Sequence, residues 1–220
     1  MIINSLLDYW KNISHQVAMK FPHYKSEMIW TWKNFKDDIL SLKGRLGVEQ
    51  TYVDLLGLSL DFESGETLDT IAGGNYPTDD LVGYLFYYSK AQEAEHSSLW
   101  VHYHQLTGTS GSVPGFKNKT TQVILETYSQ YRERVIQVIE KLGGVLADYG
   151  DTAYILAPLP YFRLLLIFHD EDDEFPSEFR LLYNQHAIYY QPPEYLGVIA
   201  SFSLSRIINL VSSYPKSPIR

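Results

Sequence analysis

The run Phe162-Arg163-Leu164-Leu165-Leu166-Ile167-Phe168 constrains this chain more than any other stretch. It is too short to span a bilayer and too apolar for a strand with one wet face. A near-continuous apolar run of this length reads as a central β-strand covered on both faces. The segment after it has the opposite character: Asp170, Glu171, Asp172, Asp173, Glu174 and Glu178 put six carboxylates into nine positions. The next apolar stretch, Phe179–Asn184, reads as a strand again. The acidic segment Asp170–Glu178 is therefore expected to be the loop of a hairpin. About ten residues is long for such a loop, and long loops are more often functional than short ones.

The rest of the chain alternates without a regular strand–helix rhythm. Leu6, Trp10, Ile13 and Val17 repeat at helical spacing, and Phe21-Pro22 ends that helix. A second helix is expected over about Ser26–Lys43, closed by Gly44 and Gly47. Thr51–Leu56 and Leu58–Phe62 read as strands about Gly57, and Gly65, Gly73-Gly74-Asn75 and Pro77 as turns. Thr78 is placed to cap a helix carrying Leu81, Val82, Leu85, Phe86 and Tyr88. Leu99–Tyr103 reads as extended. A helix covers about Thr120–Leu142, ended by Gly143-Gly144. Val145–Asp148 and Thr152–Ala157 read as strands, and a last helix covers about Glu194–Val211. Mixed elements of this kind predict an α+β fold. The expectation is a mixed or antiparallel central sheet packed by helices, with a helical N-terminal piece at about 1–45 and a sheet-containing part at about 48–212, in one domain spanning 1–220.

Composition limits the function. The chain has 220 residues, 45% of them hydrophobic, and no cysteine. Thiolate nucleophiles, Cys-based zinc sites and Cys-ligated iron–sulfur clusters are thereby excluded. The net charge of −8 comes with scattered Lys and Arg. Without clustered cations, nucleic acid and anionic membrane surfaces are not expected partners. The start Met1-Ile2-Ile3-Asn4 lacks a basic, then apolar, secretory pattern, and the expectation is a cytoplasmic protein.

Three constellations are candidates for chemistry. The acidic loop could hold Ca²⁺ or Mg²⁺ through hard oxygen ligands, but Phe175 and Leu181 stand where a calcium loop needs Gly and Glu. Its edge residues Asp173, Glu174 and Glu178 are kept as ligand-binding candidates. Phe175-Pro176 is expected to anchor the loop to the core. His102 and His104, set on a strand with His96 and Glu93 nearby, would point two imidazoles to one side in the manner of zinc ligands, with His169 and His186 to complete the shell. Tyr183, His186, Tyr189, Tyr190 and Glu194 make an aromatic segment in which His186 could ligate a tetrapyrrole metal, or act as a base oriented by Glu194. Each has a plainer alternative: a solvated loop, two surface histidines, a tyrosine-rich edge packed on the last helix.

From about Leu55 to Ile208 the chain resembles an uncharacterised prokaryotic family, domain of unknown function 3786. The resemblance is carried by Glu140–Ala200, above all by Asp173-Glu174-Phe175-Pro176, Glu178, the strand after it, and the aromatic segment before Pro192 and Glu194. It implies no established activity. Association of such domains with iron–sulfur domains and corrinoid-dependent chemistry implies an accessory, cofactor-handling role. The pattern departs at Asn184, His186 and Tyr189, where relatives tend to carry Asp, Ser and His, and at Tyr195, where they carry an acid. Three readings result: a binding or accessory domain for a corrinoid or related metallocofactor, using one face between Asp173–Glu178 and His186–Glu194; a hydrolase using a divalent metal held by the acidic loop or the His102/His104 pair; and a protein-interaction module docking through its Trp-rich front helices.

Overall fold

The structure, a computed structural model, describes residues 30–94, 97–108 and 120–213. The helix expected on Leu6–Val17, the start of the second helix, and His96 lie outside these residues. Helix α1 (Trp32–Leu40) buries Phe35 and Ile39, one turn apart. Four short strands come next, β1 (Tyr52–Leu55), β2 (Leu58–Asp61), β3 (Thr67–Asp69) and β4 (Asn75–Tyr76), in an antiparallel meander of that order. Val53, Leu55, Leu58 and Leu60 alternate inward, as a half-buried sheet requires. The last two strands lie where the sequence showed only turn signals.

Helix α2 (Asp79–Ser89) begins where expected, but Thr78 does not cap it. Its hydroxyl instead donates to the Gly65 carbonyl at 3.0 Å and meets the Thr67 hydroxyl at 2.8 Å. A two-residue strand β5 (Trp100–Val101) then turns into helix α3 (Tyr103–Thr107). Helix α4 (Thr120–Lys141) is broken at Tyr131, whose backbone is non-helical at φ −135°, ψ 42°. Strands β6 (Val145–Ala147), β7 (Thr152–Leu159), β8 (Phe162–His169) and β9 (Glu178–Asn184) join β5 in a second sheet. Its order is β5-β9-β8-β7-β6, antiparallel throughout. A one-turn helix α5 (Ala187–Tyr190) and the long α6 (Pro193–Ser213) close the described chain. The fold is α+β, with two antiparallel sheets.

One apolar core runs from Phe35 to Val211 and takes in α1, both sheets and α6. The described part of the front piece is tied to the larger sheet by a buried hydroxyl. Tyr88 Oη donates to the Leu46 carbonyl at 2.8 Å and accepts from the Tyr161 amide, in the β7–β8 turn, at 3.1 Å. Gly47, at φ 73°, lets that turn come close: a Cβ there would lie 2.7 Å from Pro160. Helix α6 is long and apolar enough to cross a membrane, yet 56% of its most apolar window is buried within the fold. From its buried side Arg206 makes a bidentate pair with Asp69 on β3, at 2.6 and 2.7 Å. That pair fastens α6 to the small sheet.

The two faces of the five-stranded sheet differ. Tyr154, Leu156, Leu164, Leu166, Phe168 and Tyr183 belong to the main core with α4 and α6. Ala153, Leu165 and Ile167, pointing the other way, form a second cluster with Trp100, Ala147, Ile155 and Leu182. Among the described residues that second cluster consists of strand residues alone.

Candidate functional site

The acidic segment is the β8–β9 hairpin loop, as expected, with His169 paired to Glu178 at its base. Both of its ends are tied down. Arg132, just past the α4 break, donates to Asp170 Oδ2 at 2.6 Å and to Thr152 Oγ1 at 2.9 Å. Its guanidinium lies 5.3 Å from the Tyr128 ring, which stacks on Phe168. The Asp170 amide donates to Asp151 Oδ2 at 2.9 Å. At the other end Arg180 bonds Glu178 Oε2 at 2.6 Å. That bond holds the Glu178 carboxyl below its usual range, against an opposing push from burial.

The tip is a closed turn. Asp172 Oδ1 accepts from the amides of Glu174 at 2.9 Å and Phe175 at 2.7 Å. The Asp172 amide donates to the Phe175 carbonyl at 3.0 Å. These are the bonds by which an Asp side chain copies a backbone turn. They also lower the Asp172 pKa, since two amide donors favour the carboxylate. The expectation that Phe175-Pro176 anchors the loop is overturned here. Phe175 is 66% exposed, and Pro176 is exposed beside it. The turn needs no apolar anchor, because Asp172 and the pairs at Asp170 and Glu178 already fix it. Glu171, Asp173 and Glu174 precede Phe175 within four residues, all exposed. Between the loop and the first half of α4 runs an open groove of about 550 Å³, lined by Leu125, Glu126, Ser129, Gln130 and Ser177.

The second half of the expected site lies elsewhere. Glu178 opens β9 and Asn184 ends it, six steps along an extended strand, or about 20 Å. His186, Tyr189, Tyr190 and Glu194 sit beyond that far end, so they share no ligand-sized face with Asp173, Glu174 and Glu178. The local order there is structural. Asn184 Nδ2 donates to the Ser97 carbonyl at 2.7 Å, and its Oδ1 receives the His186 amide at 3.1 Å. His186 and Tyr189 meet edge to face at 5.3 Å. Tyr190 is buried and donates to the Ala94 carbonyl at 3.1 Å. Tyr183 is buried too, which pushes its phenol pKa well up. Glu194 is exposed in the first turn of α6.

His102 and His104 come to this same end, but not on a strand. His102 precedes α3, and its backbone amide donates to Gln105 Oε1 at 2.7 Å, while His104 lies inside the helix. Their rings stack in parallel at 5.6 Å, both exposed. Strand β5 stops at Val101 because Gln105 closes a helical turn, which periodicity over so few residues could not reveal. His169 is at the opposite end of the sheet and cannot complete their shell. Among the described residues no three of His, Asp and Glu gather closely enough to hold a metal ion. Arg132, Asp151 and Thr152, which organise the loop, carried no sequence signal. Arg206 did carry one, as a lone charge on an apolar helical face.

Fold and site together define an α+β fold whose β8–β9 loop is an acidic turn closed by the hydrogen bonds of Asp172. The model of the family described as domain of unknown function (DUF3786) matches residues 58–206, and the chain belongs to that family. The matched span begins at β2 and ends at Arg206, so it contains the β8–β9 turn and both of its flanking strands. No curated protein and no solved structure matches the chain.

Proposed function

We propose that this chain is a non-catalytic binding domain that engages a protein partner through the β8–β9 turn. The observation that carries this is Phe175, 66% exposed at the tip of a turn held by three hydrogen bonds of Asp172. A large aromatic displayed on a rigid frame binds with little ordering cost, and aromatic anchors dominate interface energetics. The exposed carboxylates of Glu171, Asp173 and Glu174, in the same turn, suit a cationic segment, and they raise the association rate more than the final affinity. The Leu125–Ser177 groove beside the turn offers room for an apolar side chain of that segment.

A synthetic peptide alternating Lys with Leu tests the reading, titrated against the full chain with the amide resonances of the turn as the readout. Binding that shifts Phe175 and Leu125, weakens with salt, and is lost in Phe175→Ser supports it. An acidic peptide of the same length binding equally well would overturn it. So would binding of cobalamin, haem or a divalent metal in its place, since that outcome favours the cofactor readings.

A further inference from the structure

We propose that the free edge of strand β6 docks an extended segment of a partner protein, one that carries a branched apolar residue and, two residues away, a Lys or Arg. It is a second docking element, beyond the β8–β9 turn. Strand β6 ends the five-stranded sheet, and among the described residues it pairs with β7 alone. An edge strand leaves a row of N–H and C=O groups without partners, and proteins commonly guard such an edge with Lys, Pro or a bulge. Val145, Leu146 and Ala147 include neither residue, and their register with β7 runs unbroken. Neighbouring side chains on a strand point to opposite faces. Val145 is 63% exposed and Leu146 70%, so the edge is open on both faces.

The chemistry beside the edge selects the segment. A hollow of about 450 Å³ lies between the β6–β7 hairpin and α4, lined by Ile136, Leu146, Asp148, Asp151 and Tyr154 among others. Its lining holds two carboxylates and no Lys or Arg. Asp151 already accepts the Asp170 amide, whereas the exposed Asp148 carboxylate has no partner among the described residues. Leu146 and Asp148 are two residues apart and line the same hollow. Side chains directly opposite each other on paired strands interact. A segment laid along β6 thus sets an apolar residue beside Leu146, at the hollow, and the residue two positions along beside Asp148, where a cation completes a pair. Three strand residues offer few main-chain bonds, so the seated side chain and the charge pair supply the specificity, as in other additions of a strand to a sheet edge. A second copy paired antiparallel about Leu146 would set Gly144 beside Asp148, and it brings no cation there.

The test is a titration of the full chain with a synthetic peptide that alternates Thr with Val and carries one Lys two residues from its central Val. The expected result is a shift of the Val145–Ala147 and Ile136 amide resonances, slower hydrogen exchange along β6, and binding that weakens as salt rises. Leu146→Lys, at an exposed position, should weaken binding by about tenfold or more while leaving the thermal melt unchanged. Asp148→Asn should remove most of the salt dependence. The same peptide with every backbone amide N-methylated should not bind, because it has no N–H to pair with the edge. Absence of binding up to millimolar peptide would overturn the proposal. So would equal binding of the N-methylated peptide, or shifts confined to Phe175 and Leu125, since the segment would then use the other surface. A concentration-dependent dimer that slows exchange along β6 without peptide would overturn it too, because a second copy would then hold the edge.

Discussion

Leu164, Leu165 and Leu166 are consecutive, and all three are fully buried, yet they serve two different faces of one sheet. Leu164 and Leu166 lie in the core shared with α4 and α6, while Leu165 lies in a cluster made of strand residues alone among the described residues. Each side also has an arginine–carboxylate pair at the same 2.6 Å. Arg206–Asp69, on the core side, leaves each side chain 9% exposed, whereas Arg180–Glu178, on the second face, leaves each about half exposed. Equal distances and equal burial therefore conceal unequal surroundings. What a contact contributes depends on what would be left behind if it were removed.

The buried pair should show the largest effect. Asp69→Asn leaves Arg206 charged, enclosed and short of its partner, and should cost about 3–5 kcal/mol in urea unfolding. A pH series sharpens the assignment. Burial pushes the Asp69 carboxyl up, but the Arg206 hydrogen bonds and the amides of Ala72 and Ile71 outweigh it, and the net shift is downward. A carboxyl lowered in the folded state binds fewer protons folded than unfolded. Its contribution is thus complete above the ordinary value of about 4 and is lost as pH falls through the depressed one. The wild type should lose stability across that acid window, and Asp69→Asn should lose less.

Next in size is the leucine comparison itself. Leu164→Ala removes a side chain packed against helices that cannot follow it, and should cost about 3–5 kcal/mol. Leu165→Ala, in a cluster formed among the described residues by strand side chains alone, should cost nearer about 2 kcal/mol, because such a site collapses more easily. Equal losses would erase the distinction between the faces.

Periodicity carried much of the fold, and the failures cluster where local chemistry overrode it. The apolar run at Phe162–Phe168 and the acid run after it placed β8, its turn and β9 within a residue, since a buried strand and a solvated turn differ in every side chain. The α4 and α6 helices were legible from their long stripes. The short elements β3, β4, α3 and α5 were not, because two to five residues hold fewer than two helical turns and too few strand alternations to tell the two patterns apart. The site failed for a different reason. Residues 173–178 and 186–194 are near in sequence, and only the straightness of β9 holds them apart. Phe175 was expected inside because aromatic bodies usually pack. It is outside because Asp172 closes the turn with its own backbone, and that geometry requires only an Asp at the right position.

The smallest expected effects fall on the second face and the turn. Glu178→Gln breaks a half-exposed pair, and exposed pairs of good geometry are worth less than about 1 kcal/mol. If it proves as costly as Asp69→Asn, exposure is not what separates the two arginines, and the comparison fails. Phe175→Ala should be smaller still, within about 0.5 kcal/mol of wild type in urea, since the ring buries little surface and the Asp172 bonds do not involve it. The same substitution should nonetheless abolish binding of the Lys–Leu peptide. Stability and binding would then be carried by different atoms of one turn: the Asp172 carboxylate holds the frame, and the Phe175 ring is what the frame displays. A large loss of stability in Phe175→Ala would mean that the ring packs against the fold in solution, and the turn would have no anchor to offer a partner.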